Sequence, residues 1–72
     1  MQEIKIKTPV IHLDQLLKWA NVVASGGEAK QLIQGGQVSV NGQIETRRSV
    51  KLGPGDIVSM NNGPKFIVGR ES

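Results

Sequence analysis

The sequence predicts an α+β fold in which two short helices pack on a small, mostly antiparallel sheet. Apolar residues recur at helical spacing between positions 13 and 33, and they alternate with polar residues in the second half of the chain. Glycine, asparagine and proline separate these segments at turn positions. The chain has 72 residues, which predicts one domain, spanning 1–72, with a core too thin for a deep catalytic cavity.

The N-terminal third is predicted to form a half-buried strand and then a helix. Residues 3–7 alternate polar and apolar side chains, and Thr8-Pro9 breaks that pattern. A helix over about 13–21 is predicted because four apolar residues share one face: Leu13, Leu16, Leu17 and Ala20. Asp14 in the first turn suits the helix dipole, and Lys18 lies opposite the apolar stripe.

A second helix is predicted to begin at Ser25, after the connection 22–24. Ser25 and Glu28 have the spacing of a capping box, in which each side chain satisfies a backbone N–H near the other. The apolar stripe of this helix consists of Ala29, Leu32 and Ile33. Gly35 or Gly36 ends it, since glycine tolerates the left-handed cap conformation.

The remaining residues predict strands joined by tight turns. Asn41-Gly42, after a strand containing Val38 and Val40, favours a two-residue hairpin because both turn positions must accept positive φ. On its returning arm the inward parity belongs to Ile44, Val50 and Leu52, and the outward parity to Glu45, Arg47, Ser49 and Lys51. Arg48 has the apolar parity, which predicts a bulge or strand break near 47–48. Two further strands are predicted over 57–60 and 66–68.

Basic side chains are predicted to cluster where the second helix meets the hairpin. Lys30 and Gln34 are four residues apart on the helix flank away from the apolar stripe. Arg47, Arg48 and Lys51 project from the hairpin that follows, and a guanidinium can bond two phosphate oxygens at once. One interpretation is a shared basic surface for nucleic acid, and the other is two ordinary solvated faces. The net charge of +3 is compatible with both.

Three residues near the helices allow a structural and a functional interpretation. Gly26 and Gly27 leave bare N–H groups where a phosphate could approach a helix start, or they let the two helices pack closely. Glu28 in the same turn would repel an anion. Trp19 borders the buried stripe, where it either covers the core or stacks on an unpaired base. His12 is interpreted as a helix-start residue.

Composition and residue spacing restrict the functional class. There is no cysteine and one histidine, and the carboxylates have cap or turn explanations, so no metal, no cofactor and no enzyme activity are expected. No apolar run approaches the roughly 20 residues that span a bilayer, and the N-terminus has no apolar signal segment. These features predict a monomeric cytoplasmic protein.

Four segments in combination resemble a known family. They are Leu13-Asp14-Gln15-Leu16-Leu17, Ser25-Gly26-Gly27-Glu28-Ala29-Lys30-Gln31-Leu32-Ile33, Gly36-Gln37-Val38-Ser39-Val40-Asn41-Gly42 and Gly55-Asp56. Across roughly residues 12–60 the combination resembles the ribosomal protein S4 type RNA-binding domain, also called the alpha-L motif. Glu45-Thr46-Arg47-Arg48 is similar to the small stand-alone bacterial members of that family.

The resemblance implies non-catalytic binding of structured RNA, ribosomal or transfer RNA, in ribosome assembly or function. The implied contacts are Ser25, Gly26, Gly27, Lys30, Gln34, Arg47, Arg48 and Lys51. Many members carry arginine at the position of His12, and arginine or lysine at that of Gly26, so this surface has less positive charge here. One alternative is a protein-interaction module of the ribosome or translation machinery. Another is a regulatory domain that once accompanied an RNA-modifying or aminoacylating enzyme.

Overall fold

The computed structural model describes residues 1–71, which contain two helices and seven strands. In chain order the elements are β1 Gln2–Ile6, β2 Ile11–His12, α1 Leu13–Trp19, α2 Gly26–Gln34, β3 Val38–Val40, β4 Gln43–Ile44, β5 Lys51–Leu52, β6 Ile57–Met60 and β7 Lys65–Arg70. The main sheet has the strand order β1-β7-β6-β3-β4, and β2 pairs with β5 in a separate two-stranded sheet. Only β1 and β7 pair in parallel within this range, so the predicted α+β fold with a mostly antiparallel sheet is confirmed.

The core lies between the helices and one face of the main sheet. The helices bury Leu13, Leu16, Leu17, Ala29 and Ile33, and the sheet opposes them with alternate residues such as Ile4, Ile6, Phe66 and Val68. Because side chains alternate along a strand, the intervening residues point to the other side of the sheet. We call this side the open sheet face, and it carries Lys5, Ser39, Ile44, Ser59 and Lys65.

The first helix ends two residues earlier than its apolar spacing predicted. Asn21 adopts a left-handed conformation with a φ of 59°, which asparagine tolerates better than most residues. Its N–H donates to the Lys18 carbonyl at 3.1 Å, and the Val22 N–H donates to the Leu17 carbonyl at 3.0 Å. The chain therefore turns away after Trp19, although Ala20 still packs against the core.

The second helix has the predicted start and end. The Ser25 hydroxyl accepts a hydrogen bond from the Glu28 N–H at 3.3 Å, and the Glu28 carboxylate accepts one from the Ala24 N–H at 3.2 Å. The capping box is thus confirmed, with its returning bond made to Ala24 rather than to Ser25. Gly35 caps the C-terminus and Gly36 follows with a φ of 76°. Neither helix of residues 1–71 is long and apolar enough to cross a membrane.

The hairpin turn is confirmed, but its predicted returning arm is partly wrong. Asn41 and Gly42 have φ angles of 52° and 86°, as a two-residue turn between β3 and β4 requires. β4 then ends at Ile44, and the chain is irregular until β5 joins the other sheet. The predicted strand break near 47–48 exists and begins earlier. The prediction that Ile44 points inward with Val50 and Leu52 is therefore wrong. Ile44 is 67% exposed on the open sheet face.

Candidate nucleic-acid interface

Residues 47–51, which we call the basic segment, are held against the start of α1 by backbone hydrogen bonds. The Leu13 N–H donates to the Val50 carbonyl at 3.0 Å, and the Asp14 N–H donates to the Arg48 carbonyl at 3.1 Å. Lys51 pairs with His12 across β2 and β5. The first N–H groups of a helix have no acceptor within it, so a segment distant in sequence supplies acceptors here. As a result, an irregular loop is anchored at a defined place, with its basic side chains exposed.

Arg47 forms a forked ion pair with Glu45. Its Nε and Nη2 atoms donate to the two carboxylate oxygens of Glu45 at 3.1 Å each, and its backbone N–H donates to Oε2 at 3.0 Å. These bonds, the side-chain ones most, lower the pKa of Glu45 to about 2, and they raise the pKa of Arg47. The Arg47 side chain is still 75% exposed, so its other N–H groups face solvent. Within residues 1–71, Arg48 and Lys51 have no carboxylate partner.

The start of α2 presents two glycines that packing does not require. A Cβ atom built at Gly26 would have no neighbour within 4 Å, and one at Gly27 would meet only the Ser25 hydroxyl at 3.8 Å. Neither glycine has a positive φ. The interpretation that they let the two helices pack closely is therefore wrong. Their N–H groups have no acceptor among residues 1–71, so both remain able to donate.

The eight predicted contact positions fall into two groups. One is the basic segment, with Arg47, Arg48 and Lys51 beside α1, and the other follows α2 with Ser25, Gly26, Gly27, Lys30 and Gln34. All are exposed except the half-buried Gly26. The C-terminal end of α2 lies nearer to the hairpin, because a Cβ at Gly36 would be 3.9 Å from an Ile44 methyl. Ser25 and Gln34 are separated by about 13 Å, at 1.5 Å of rise per residue.

Trp19 does not cover the core as one interpretation of the sequence predicted. Its side chain is 58% exposed, and it lines an open cleft of about 450 Å³ with Ile11, Gln15 and Lys18. His12 occupies the N-cap position of α1, as predicted. Its backbone N–H donates to the Gln15 Oε1 at 3.3 Å. Sequence reasoning missed the cleft because it placed Trp19 at the border of the buried stripe, although Gln15, Lys18 and Trp19 have the spacing of one helix face.

Comparison with known proteins agrees with this architecture. The S4 domain family matches residues 4–68. The chain belongs to the S4 domain family. The probable ribosome maturation protein RlbA of Bacillus subtilis (strain 168) is 42% identical to this S4 domain over 65 residues, covering 90% of the chain and 92% of RlbA. The putative RNA-binding protein YbcJ of Escherichia coli (strain K12) is 43% identical over 53 residues, covering 74% of the chain and 76% of YbcJ.

Two solved structures resemble this S4 domain. The solution structure of E. coli YbcJ, described as revealing an alpha-L motif involved in RNA binding, superposes with a TM-score of 0.67 at 37% identity. The superposition covers 94% of this chain and 84% of YbcJ, which confirms the alpha-L fold. The 30S ribosomal protein S4e from Thermoplasma acidophilum has a TM-score of 0.62 at 20% identity, covering 85% of this chain and 32% of S4e. At that identity the likeness shows the fold alone.

Proposed function

We propose that this S4 domain binds structured RNA, ribosomal or transfer RNA, without catalysing a reaction, and that it acts in ribosome assembly or function. The observation that carries the proposal is the anchoring of the basic segment by the hydrogen bonds from Leu13 and Asp14. The family match supports it, as do relatives named for ribosome maturation and for RNA binding.

Anchoring matters because a cation on a fixed backbone loses less conformational freedom when it binds. Only the side chains of Arg48 and Lys51 then need to be ordered by a phosphate, since their backbone is already held against α1. Arg47 contributes the N–H groups that Glu45 does not occupy. Phosphates bound here would fix the position of the RNA without reading its sequence.

The start of α2 supplies the second part of the proposed contact set. The N–H groups of Gly26 and Gly27 are unblocked by any side chain, and the positive end of the helix dipole favours an anion there. The negative charge of Glu28 in the same turn opposes an anion, although the carboxylate is held by a hydrogen bond from the Ala24 N–H. Lys30 and Gln34 continue the contacts along the exposed flank of α2.

The dependence of RNA affinity on salt tests the proposal. Each neutralised phosphate contributes about −0.7 to −0.9 to the slope of log affinity against log salt, so four contacts predict a slope of about −3. The probe is a ribosomal or transfer RNA hairpin at several salt concentrations. A slope near zero, or no RNA binding together with tight binding to a protein of the translation machinery, would favour the protein-interaction alternative.

The open sheet face provides a charge-matched control. The double variant Arg48→Gln with Lys51→Gln removes two positive charges from the basic segment, and Lys5→Gln with Lys65→Gln removes two from the opposite side of the sheet. We expect the first to weaken RNA binding about tenfold or more, and the second to change it less than threefold, because only the first removes contacts. Equal losses in the two variants would mean that net charge alone attracts RNA.

A further inference from the structure

The cleft beside Trp19 is not part of the predicted contact set. Its walls are an aliphatic side chain, Ile11, the exposed indole of Trp19, the Gln15 amide and the Lys18 ammonium. Its volume of about 450 Å³ lies in the range of about 300–1,000 Å³ that is typical of small-ligand sites. A single exposed apolar residue needs no explanation, but an exposed aromatic ring beside an amide and a cation forms a chemically specific surface.

The three polar and aromatic groups suit a nucleotide. An indole face stacks on any nucleobase, and an ammonium attracts the neighbouring phosphate. The Gln15 Oε1 accepts a hydrogen bond from the backbone N–H of His12 at 3.3 Å. This bond orients the Gln15 side-chain amide and leaves its NH₂ group free to donate to a base. No carboxylate lines the cleft, and within residues 1–71 Lys18 forms no ion pair. The cleft is therefore cationic.

His12 lies between the cleft and the basic segment. Lys51 pairs with His12 across β2 and β5, and the His12 N–H donates to the Gln15 side chain that lines the cleft. A strand of RNA with phosphates at the basic segment would therefore pass close to the Gln15 end of the cleft.

We propose that the cleft binds an unpaired nucleobase of the RNA, stacked on Trp19, with an adjacent phosphate on Lys18. This inference rests on the proposed function and adds a preference for RNA that contains an unpaired base. A second copy of the chain is a poorer occupant, because a two-fold interface across this cleft would place the Lys18 ammonium groups of both copies together. Nucleobases are uncharged and phosphates are anionic, so RNA complements the cleft.

The fluorescence of Trp19 reports on the cleft directly, since Trp19 is the only tryptophan in the sequence. The two probes are an RNA hairpin with an unpaired loop and a blunt RNA duplex of the same length. We expect the hairpin to quench Trp19 with the same midpoint as binding, because stacking brings the base against the indole. The duplex should bind more weakly and quench little.

Substitutions separate stacking from apolar contact. Trp19→Leu should weaken binding of the looped hairpin about tenfold, since stacking one base contributes roughly 5- to 150-fold by truncation. Trp19→Phe should restore most of that affinity because it keeps an aromatic face. Lys18→Gln should weaken binding more than Lys65→Gln, which removes the same charge from the open sheet face. Circular dichroism melting confirms that each variant is folded.

The outcomes distinguish this inference from the proposed function. If RNA binds with the expected salt slope, but Trp19 fluorescence and the affinity of folded Trp19→Leu are unchanged, the inference is wrong and the proposed function stands. If no RNA binds, both are wrong. A dimer that forms in sedimentation experiments and is lost in Trp19→Leu would show that a second copy covers the cleft, which also overturns the inference.

Discussion

At the start of α1, the N–H groups of Leu13 and Asp14 donate to carbonyls of the basic segment, whereas at the start of α2 those of Gly26 and Gly27 have no acceptor within residues 1–71. The N–H groups at the start of α1 are satisfied by carbonyls distant in sequence, and this contact holds the cationic side chains of the basic segment in place. At the start of α2 the Ser25 side chain satisfies only the Glu28 N–H, so the N–H groups of Gly26 and Gly27 remain accessible to an anion. Two helices in one small domain thus use the same unsatisfied N–H groups in different ways.

The largest expected effect concerns the cations held at α1. Arg47→Ala combined with Arg48→Ala should weaken RNA binding about tenfold or more and make the salt slope shallower by about 1.4 to 1.8, because two phosphate contacts are lost. The free energy of unfolding should change by less than about 0.5 kcal/mol, since both side chains are exposed. Chemical denaturation and RNA titration measure the two quantities. Normal RNA binding, or an unfolded variant, would contradict the assignment.

The next effect tests the local cap of α2. Ser25→Ala should lower the free energy of unfolding by about 1 kcal/mol, because the Glu28 N–H loses its acceptor. That is a large share of the stability of so small a domain. Ser49→Ala is the matched control, since Ser49 is also exposed and its side chain takes part in none of the side-chain hydrogen bonds of residues 1–71. Equal stability of the two variants would show that the second helix start does not depend on its cap.

The Gly27→Ala variant tests whether an RNA phosphate contacts the unpaired backbone N–H groups at the start of α2. Alanine favours a helix, and its methyl would meet only the Ser25 hydroxyl at 3.8 Å, so stability should rise by about 0.4–1 kcal/mol. RNA affinity should fall about threefold, because a methyl group hinders close approach of a phosphate to the backbone. Gln31→Ala, on an exposed position of the same helix, should leave affinity unchanged. A stabilised Gly27→Ala protein with full affinity would restrict the site to Lys30, Arg47, Arg48 and Lys51.

A smaller effect is expected from Glu45, which competes with RNA for Arg47. Glu45→Gln removes the negative charge that holds the guanidinium, while the amide oxygen can still accept the backbone N–H of Arg47. RNA affinity should rise about twofold to threefold, because an exposed ion pair is weak and phosphate replaces it readily. Reduced affinity would instead mean that Glu45 positions Arg47 for binding.

The smallest effect is a pH dependence of stability. The pKa of Glu45 falls from 4.5 to about 2 in the folded protein, so the pair stabilises the fold fully above pH 4.5. That contribution is lost as the pH decreases from 4.5 toward 2, because Glu45 becomes protonated first in the unfolded chain and then also in the folded protein, where the ion pair is broken. The melting temperature of Glu45→Gln should therefore fall slightly less than that of the unmodified protein over this interval. Parallel melting curves down to pH 2 would show that the ion pair does not stabilise the fold.

Local signals predicted much of the fold correctly. The capping pair of Ser25 and Glu28 and the Asn41-Gly42 turn depend on residues within four positions of each other, so their chemistry can be read from neighbouring letters. Ile44 was assigned an inward position by extending the period of Val50 and Leu52 across the strand break, whereas it pairs with Ser39 on the open sheet face. Trp19, the last residue of α1, was expected to cover the core and is exposed. A period indicates which face a residue takes only while the helix or strand continues.

The candidate site shows the same division. The residue types at 25–30 and 47–51 were identified from the sequence, because phosphate recognition requires cations and accessible N–H groups. A shared basic surface of the second helix and the hairpin was predicted, but the anchoring of the basic segment on α1 was not, since the bonds from Leu13 and Asp14 join residues more than thirty positions apart. The cleft beside Trp19 was missed for a different reason: its residues Ile11, Gln15, Lys18 and Trp19 are close in sequence, but Trp19 was expected to cover the core.

By itself, the sequence determined the presence of two helices, the cap of the second, the hairpin turn and the basic character of residues 47–51, because each follows from side-chain chemistry over a few residues. Only the tertiary structure decided that the returning arm of the hairpin leaves the main sheet and that carbonyls of the basic segment accept hydrogen bonds from the first N–H groups of α1. It also decided that packing does not require the glycines of α2. Those features arise from backbone groups and empty space. Every residue except proline has the same backbone groups, so the order of side chains does not reveal which of them will meet.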